Sequence, residues 1–197
     1  MRLINKAIIA AAVISITTLV LLMSNTTSAQ DGAKLPKSIF IQGQAMGQAQ
    51  QLGQNFSVNL IIEELSPPED QKALLEAFTA KQNEGLVNAL TKMKSKGRMS
   101  ITGTLGYDVN YIRKFPLPDG STKYRLVTDR PITFGEAWSD SRSMDYNLSG
   151  VEVIISADGK KNTGTLFPAC KLKLDKENQL QLELLQNEWK MVDVRLR

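Results

Sequence analysis

Histidine is absent from this chain of 197 residues. Within the chain, that absence excludes a Ser-His-Asp triad, a Cys-His dyad and a zinc site that depends on imidazole ligands. Cys170 is the only cysteine, so an intrachain disulfide is excluded as well. We therefore expect a protein that is not an enzyme and that holds no metal or cofactor.

A large excess of charge of one sign is also missing. The chain has 24 basic and 20 acidic residues, and its hydrophobic content of 42% is that of an ordinary globular protein. This balance gives no reason to expect a nucleic-acid partner.

The first 29 residues have the pattern of a secretory signal. Arg2 and Lys6 precede a charge-free stretch at 7–23, and small residues end the segment at Ala29. We predict cleavage after Ala29, which leaves 30–197 as a single exported β-rich domain, secreted or periplasmic. The alternative is an uncleaved anchor, but the stretch is shorter than the roughly 20 residues that cross a bilayer comfortably. We expect no membrane span after cleavage.

Apolar and polar residues alternate along most of the exported domain, which is the period of a half-buried strand. The pattern predicts strands at 55–64, at 99–111 with bends at Gly103 and Gly106, at 124–128 and 151–155, around Leu172 and Leu174, and at 180–184 and 192–196. Turns are predicted at Pro118-Asp119-Gly120 and Asp158-Gly159. The glutamine-rich stretch at 42–54 fits either a loop or the weak end of a hairpin.

Helical spacing replaces the alternation near residues 67–96. Ser66 to Glu69 has the form of a capping box, Asn83-Glu84-Gly85 interrupts the apolar stripe, and Gly97 is a natural left-handed end. We predict a helical hairpin there. The basic residues near its end, Lys92, Lys94, Lys96 and Arg98, are interpreted as complementing the helix dipole.

These elements predict an α+β fold that is mainly antiparallel β. The strands, about eight or nine in number, would form a barrel or a sandwich, and the helical hairpin would cover one end or one sheet face. The pattern does not choose between barrel and sandwich.

The first candidate site is the segment from Arg125 to Tyr146, which has no clean period over residues 129–146. Arginine beside aromatic and acidic side chains suits a polar or sugar-like ligand, and the candidate residues are Arg130, Glu136, Trp138, Arg142 and Tyr146. The alternative is a long connection whose charges pair with one another.

The second candidate site consists of Tyr107, Tyr111 and Tyr124, on predicted strand faces. Tyrosines that line the mouth of a hollow barrel could hold a small amphipathic molecule. The alternative is that these rings are ordinary side chains of the hydrophobic core.

We therefore expect an exported non-enzymatic binding module for a small amphipathic or polar ligand in the cell envelope. The alternative is an envelope assembly or interaction protein that binds another protein through a sheet edge or the 129–146 segment. A hydrolase that uses Glu136 with Asp140 or Asp145 is a less favoured third hypothesis.

Overall fold

Nine strands and one helix make up the part of the chain that this computed structural model describes, residues 34–48, 52–132, 146–176, 179–184 and 188–197. The strands are β1 (Lys34–Met46), β2 (Asn55–Glu64), β3 (Gly97–Ile101), β4 (Tyr107–Pro116), β5 (Thr122–Thr128), β6 (Leu148–Ile155), β7 (Thr163–Leu174), β8 (Leu180–Leu184) and β9 (Trp189–Leu196). The helix α1 (Pro68–Lys92) follows β2 along the chain. All strand pairs are antiparallel, which confirms the predicted class.

Eight of the strands close into a barrel. Their order is β6-β5-β4-β3-β2-β1-β9-β7, and β7 pairs back with β6. The ninth strand, β8, pairs with Cys170–Leu174 at the far end of β7 and lies outside the closed barrel. Of the two architectures that the sequence allowed, the protein adopts the barrel.

The barrel interior is packed with apolar side chains from alternate strand positions. Leu60, Ile62, Val109, Val151 and Leu166 belong to this interior cluster, and each is 0% exposed. A side chain with no water-accessible surface cannot line a cavity that admits water or a ligand. The interior around these residues is therefore filled, as the interior of an eight-stranded barrel can be.

A second apolar cluster joins α1 to the outside of the barrel. The helix contributes Leu74, Leu86 and Leu90, which pack with outward side chains of β4, β5 and β7, including Tyr111, Val127 and Cys170. The helix thus covers part of the outer surface, and in the described ranges no helix is long and apolar enough to cross a membrane.

The predicted hairpin is one helical element with an internal break. Lys81 and Gln82 have non-helical backbone, a little earlier than the predicted interruption at 83–85. Gly85 lies so close to the first part of the helix that a Cβ there would be 2.1 Å from the Ala77 carbonyl oxygen. The chain therefore reverses at the break, and only glycine fits at the point of closest approach.

The helix begins near residue 67 as predicted, with proline in its first turn, but the predicted capping box and the predicted end at Gly97 were wrong. The first turn has no side-chain cap, and the Ser66 Oγ instead accepts a hydrogen bond of 3.0 Å from the Ile112 backbone N–H. The helix ends at Lys92, while Gly97 begins β3. Lys96 is not a helix-end charge, because it is buried between Glu64 and Asp70, with its Nζ 3.2 Å from each carboxylate.

The predicted strand at 99–111 is two strands. β3 ends at Ile101 and β4 begins at Tyr107, because Gly103 and Gly106 adopt left-handed backbone in the connection, with φ of +83° and +86°. The described part of the glutamine-rich stretch belongs to a hairpin, since β1 runs to Met46 and pairs with β2.

Candidate functional site

Strand register brings outward-facing side chains into two adjacent lines across the barrel surface. Since Leu126, Val151 and Leu166 point inward, their strand neighbours point outward. The first line, from β4 to β9, consists of the cross-strand partners Arg113, Arg125, Glu152, Thr165 and Lys190. The second line, from β4 to β7, consists of Phe115, Lys123, Ile154 and Thr163. We call these two lines together the outer site.

Glu152 is the acidic centre of the outer site. One carboxylate oxygen lies 2.5 Å from the Arg125 Nε, and the other lies 3.9 Å from the Lys123 Nζ. A single carboxylate therefore serves two cations on the neighbouring strand.

Arg125 is the most deeply buried member of the outer site, with a side chain only 2% exposed. Besides its ion pair with Glu152, its guanidinium donates to the Leu180 carbonyl oxygen and, at 2.7 Å, to the Gln181 Oε1. Both of these acceptors belong to β8. Arg125 thus ties the strand outside the barrel to the barrel wall through charge-assisted hydrogen bonds.

The β4–β5 end of the outer site is cationic. The charged groups of Arg113, Lys123 and Arg125 lie 5.6, 5.1 and 5.1 Å from the centre of the Phe115 ring. The Arg113 guanidinium donates to the Gln71 Oε1, but among the described residues it forms no ion pair. We call Arg113, Phe115, Lys123 and Arg125 the cationic end.

The β6–β9 end of the outer site is a groove. It has a volume of about 350 Å³ and is open to solvent. Its lining combines polar groups with apolar ones and includes Glu152, Ile154, Thr163, Thr165, Lys190 and Val192. Glu152 lines the groove and forms ion pairs with Lys123 and Arg125, so the groove and the cationic end form one continuous surface.

The three predicted tyrosines are not brought together. Tyr124 points into the barrel interior and is 8% exposed, and Tyr107 packs partly buried against the same cluster. Tyr111 lies on the other side of the sheet, under α1, and is 2% exposed. Burial raises the pKa of both Tyr111 and Tyr124. Packing therefore leaves Tyr111 and Tyr124 little surface for a ligand.

A bulge in β4 separates Tyr111 from the other two tyrosines. Val109 pairs with Thr128 and Tyr111 pairs with Val127, so Asn110 is an extra residue in its strand. The Asn110 Nδ2 donates to the Met93 carbonyl oxygen at 3.1 Å, which holds the bulge against the chain that leaves α1. One extra residue turns every later side chain to the opposite face.

The other predicted site residues lie in or next to a segment that is not described. Glu136, Trp138 and Arg142 lie outside the described residues, as do Asp140 and Asp145. Arg130 is exposed and pairs with its neighbour Asp129 at 2.9 Å. The Tyr146 ring lies 5.1 Å from the Lys171 ammonium. Neither Arg130 nor Tyr146 belongs to the outer site.

Sequence analysis missed the outer site, although one signal was available. The turn at 118–120 joins two strands, and the register of a tight hairpin makes Arg113 face Arg125 and Phe115 face Lys123. The cross-strand partners Glu152, Thr165 and Lys190 lie on β6, β7 and β9. No local sequence pattern predicts these pairings, because they join strands that are distant in the sequence.

Metal binding has no support in the described ranges, where no group of three or more Asp, Glu or Cys side chains is placed to hold an ion. Comparisons with family models, with curated proteins and with solved structures find no match to the chain.

Proposed function

We propose that this protein is an exported, non-enzymatic module that binds a polar ligand in the groove of the outer site. The observation that carries the proposal is the open groove of about 350 Å³ between β6, β7 and β9, beside an interior that is filled. Its volume falls within the range of small-molecule sites, about 300–1,000 Å³. Export is supported by the signal-like pattern at 1–29, which lies outside the described residues.

The groove offers hydrogen-bonding groups of every kind. Thr163 and Thr165 carry hydroxyls that donate and accept, Lys190 donates, and Glu152 accepts. Ile154 adds an apolar surface on the same wall. This mixture suits a small molecule with several polar groups better than a wholly apolar one, which would leave the charged groups without partners.

A binding role also fits the chemistry that the groove lacks. The chain contains no histidine, so the threonine hydroxyls of the groove cannot form a nucleophile–histidine pair with a residue of this chain.

Native and denaturing mass spectrometry of protein purified from an exporting host tests the proposal. The denatured mass reports cleavage after Ala29, and an excess of native over denatured mass reports a bound ligand. Thr165→Trp, which fills the groove, should abolish the excess. The matched control Thr91→Trp, on an exposed helix position, should keep it. Circular dichroism verifies the fold of both variants. A native mass without excess, or an excess that survives Thr165→Trp, would contradict the proposal.

A partner protein is the second candidate. Among the described strands, β8 pairs with β7 alone, so one of its edges is available to an extended segment of another chain. In the same experiment this candidate predicts a native excess equal to a whole polypeptide, unchanged by Thr165→Trp.

A further inference from the structure

We infer that the cationic end of the outer site binds an oxyanion, a carboxylate or a phosphate group carried by the ligand. The inference deepens the proposed function and rests on it for location, because it names the chemistry that one end of the ligand must have. Its test uses small anions and does not require the natural ligand.

The sheet places like charges opposite each other at this end. Arg113 and Arg125 are direct cross-strand partners, an arrangement that destabilises a sheet unless other charges compensate. Lys123 lies over the same Phe115 ring as the two arginines, so that each pair of cations is within about 11 Å, comparable with the Debye length in 0.1 M salt. These three charges therefore repel one another across a small area.

Glu152 is the described carboxylate that forms ion pairs with cations of this end. Glu152 forms ion pairs with Lys123 and Arg125, whereas Arg113 bonds to neutral partners, the side chains of Gln71 and Tyr111. A surplus of positive charge remains, and it is fixed in place by two paired strands. A bound anion would remove this repulsion and gain charge-assisted hydrogen bonds.

The three cations do not have equal access to a ligand. The hydrogen bonds of Arg125 to Glu152, Leu180 and Gln181 use three of its five N–H donors, and its side chain is only 2% exposed, so Arg125 contributes charge rather than an accessible donor. The Lys123 side chain is 23% exposed, and Arg113 is half-buried. An ammonium has three donors and a guanidinium has five, so both retain donors for an anion that sits at the edge of the Phe115 ring.

Glu152 competes with such an anion, because its carboxylate already neutralises part of the positive charge of Lys123 and Arg125. Removing its charge should therefore tighten anion binding, whereas removing a positive charge should weaken it. Opposite effects from neighbouring residues distinguish a site from a general response of the protein to salt.

Thermal unfolding in sodium phosphate, sodium acetate and sodium chloride of equal ionic strength tests the inference. Phosphate should raise the Tm above its value in chloride, since a ligand that binds only the folded state stabilises it. Lys123→Gln and Arg113→Gln should each weaken phosphate binding about tenfold or more, the effect of losing one charged hydrogen bond. Glu152→Gln should strengthen it. Lys161→Gln, a change of the same type on an exposed turn, should leave it unchanged.

An equal Tm in the three salts, or a phosphate effect that survives Lys123→Gln, would overturn the inference. An acetate effect as large as that of phosphate assigns the site to carboxylates, and an effect of phosphate alone assigns it to phosphate groups. The groove variant Thr165→Trp separates the two proposals. If it retains both the phosphate effect and the native mass excess, the groove proposal fails while the oxyanion site stands.

Discussion

Replacing Arg125 with methionine tests whether this residue holds the fold together. Methionine keeps a long unbranched side chain beside Phe115 but removes the donors to Glu152, Leu180 and Gln181. Breaking a buried ion pair costs about 3–5 kcal/mol when the remaining charge is left uncompensated. Glu152 retains 23% exposure and the ammonium of Lys123 at 3.9 Å, which reduces that penalty. We expect a loss of about 2–4 kcal/mol in the free energy of unfolding.

Urea unfolding measures this loss as a lower midpoint at an unchanged m-value. Because Arg125 ties β8 to the barrel, hydrogen exchange of the β8 amides should accelerate more than that of β2. Lys123→Met is the matched control, and its partly exposed ion pair should be worth less than about 1 kcal/mol. A loss for Arg125→Met within about 0.5 kcal/mol, or unchanged exchange in β8, would refute the reasoning.

Three further predictions concern other buried side chains. Leu60→Ala removes a side chain with 0% exposure and should cost about 2–5 kcal/mol in urea unfolding, whereas a cost below about 1 kcal/mol would indicate a hollow barrel. Burial raises the pKa of the Cys170 thiol, so iodoacetamide should modify the native protein at least about a hundredfold more slowly than the unfolded protein, as followed by mass spectrometry. Equal rates would contradict that burial. Desolvation of Lys96 lowers its pKa, but hydrogen bonds and charges from Asp70 and Glu64 outweigh it and raise the pKa above the ordinary 10.5. The resulting stability is complete below pH 10.5 and is lost as the pH rises through the folded-state pKa, so above about pH 10.5 the wild type should lose stability that Lys96→Met does not lose.

The parts of the fold that sequence predicted are those that local chemistry decides. The strand at 55–64 follows from alternation within itself, and the turns at 118–120 and 158–159 follow from glycines that adopt positive φ at Gly120 and Gly159. Barrel closure was not predictable in this way. It depends on β7 pairing with both β6 and β9, so that Leu166 faces Val151 on one side and Trp189 on the other.

The error over residues 99–111 shows what alternation alone cannot detect. Met99, Ile101 and Tyr107 share odd positions, yet a turn lies between Ile101 and Tyr107. The apolar residues stay on odd-numbered positions on both sides of the connection. Two separate strands therefore have the same alternation of apolar and polar residues as one long strand. The two glycines in the interval were interpreted as bends in a strand, but their left-handed backbone ends it.

The candidate site depends on register even more strongly than the fold does. The bulge at Asn110 places Tyr111 under the helix, although its position in the alternation assigned it to the barrel interior with Tyr107 and Tyr124. An eight-stranded barrel is just wide enough for its own side chains to fill it. The ligand site that we propose therefore lies on the outside of the barrel, where single-sequence patterns indicate only solvated charge. Arg113, Glu152 and Lys190 are far apart in the chain, and they belong to one surface because four successive strand pairings place them on one line.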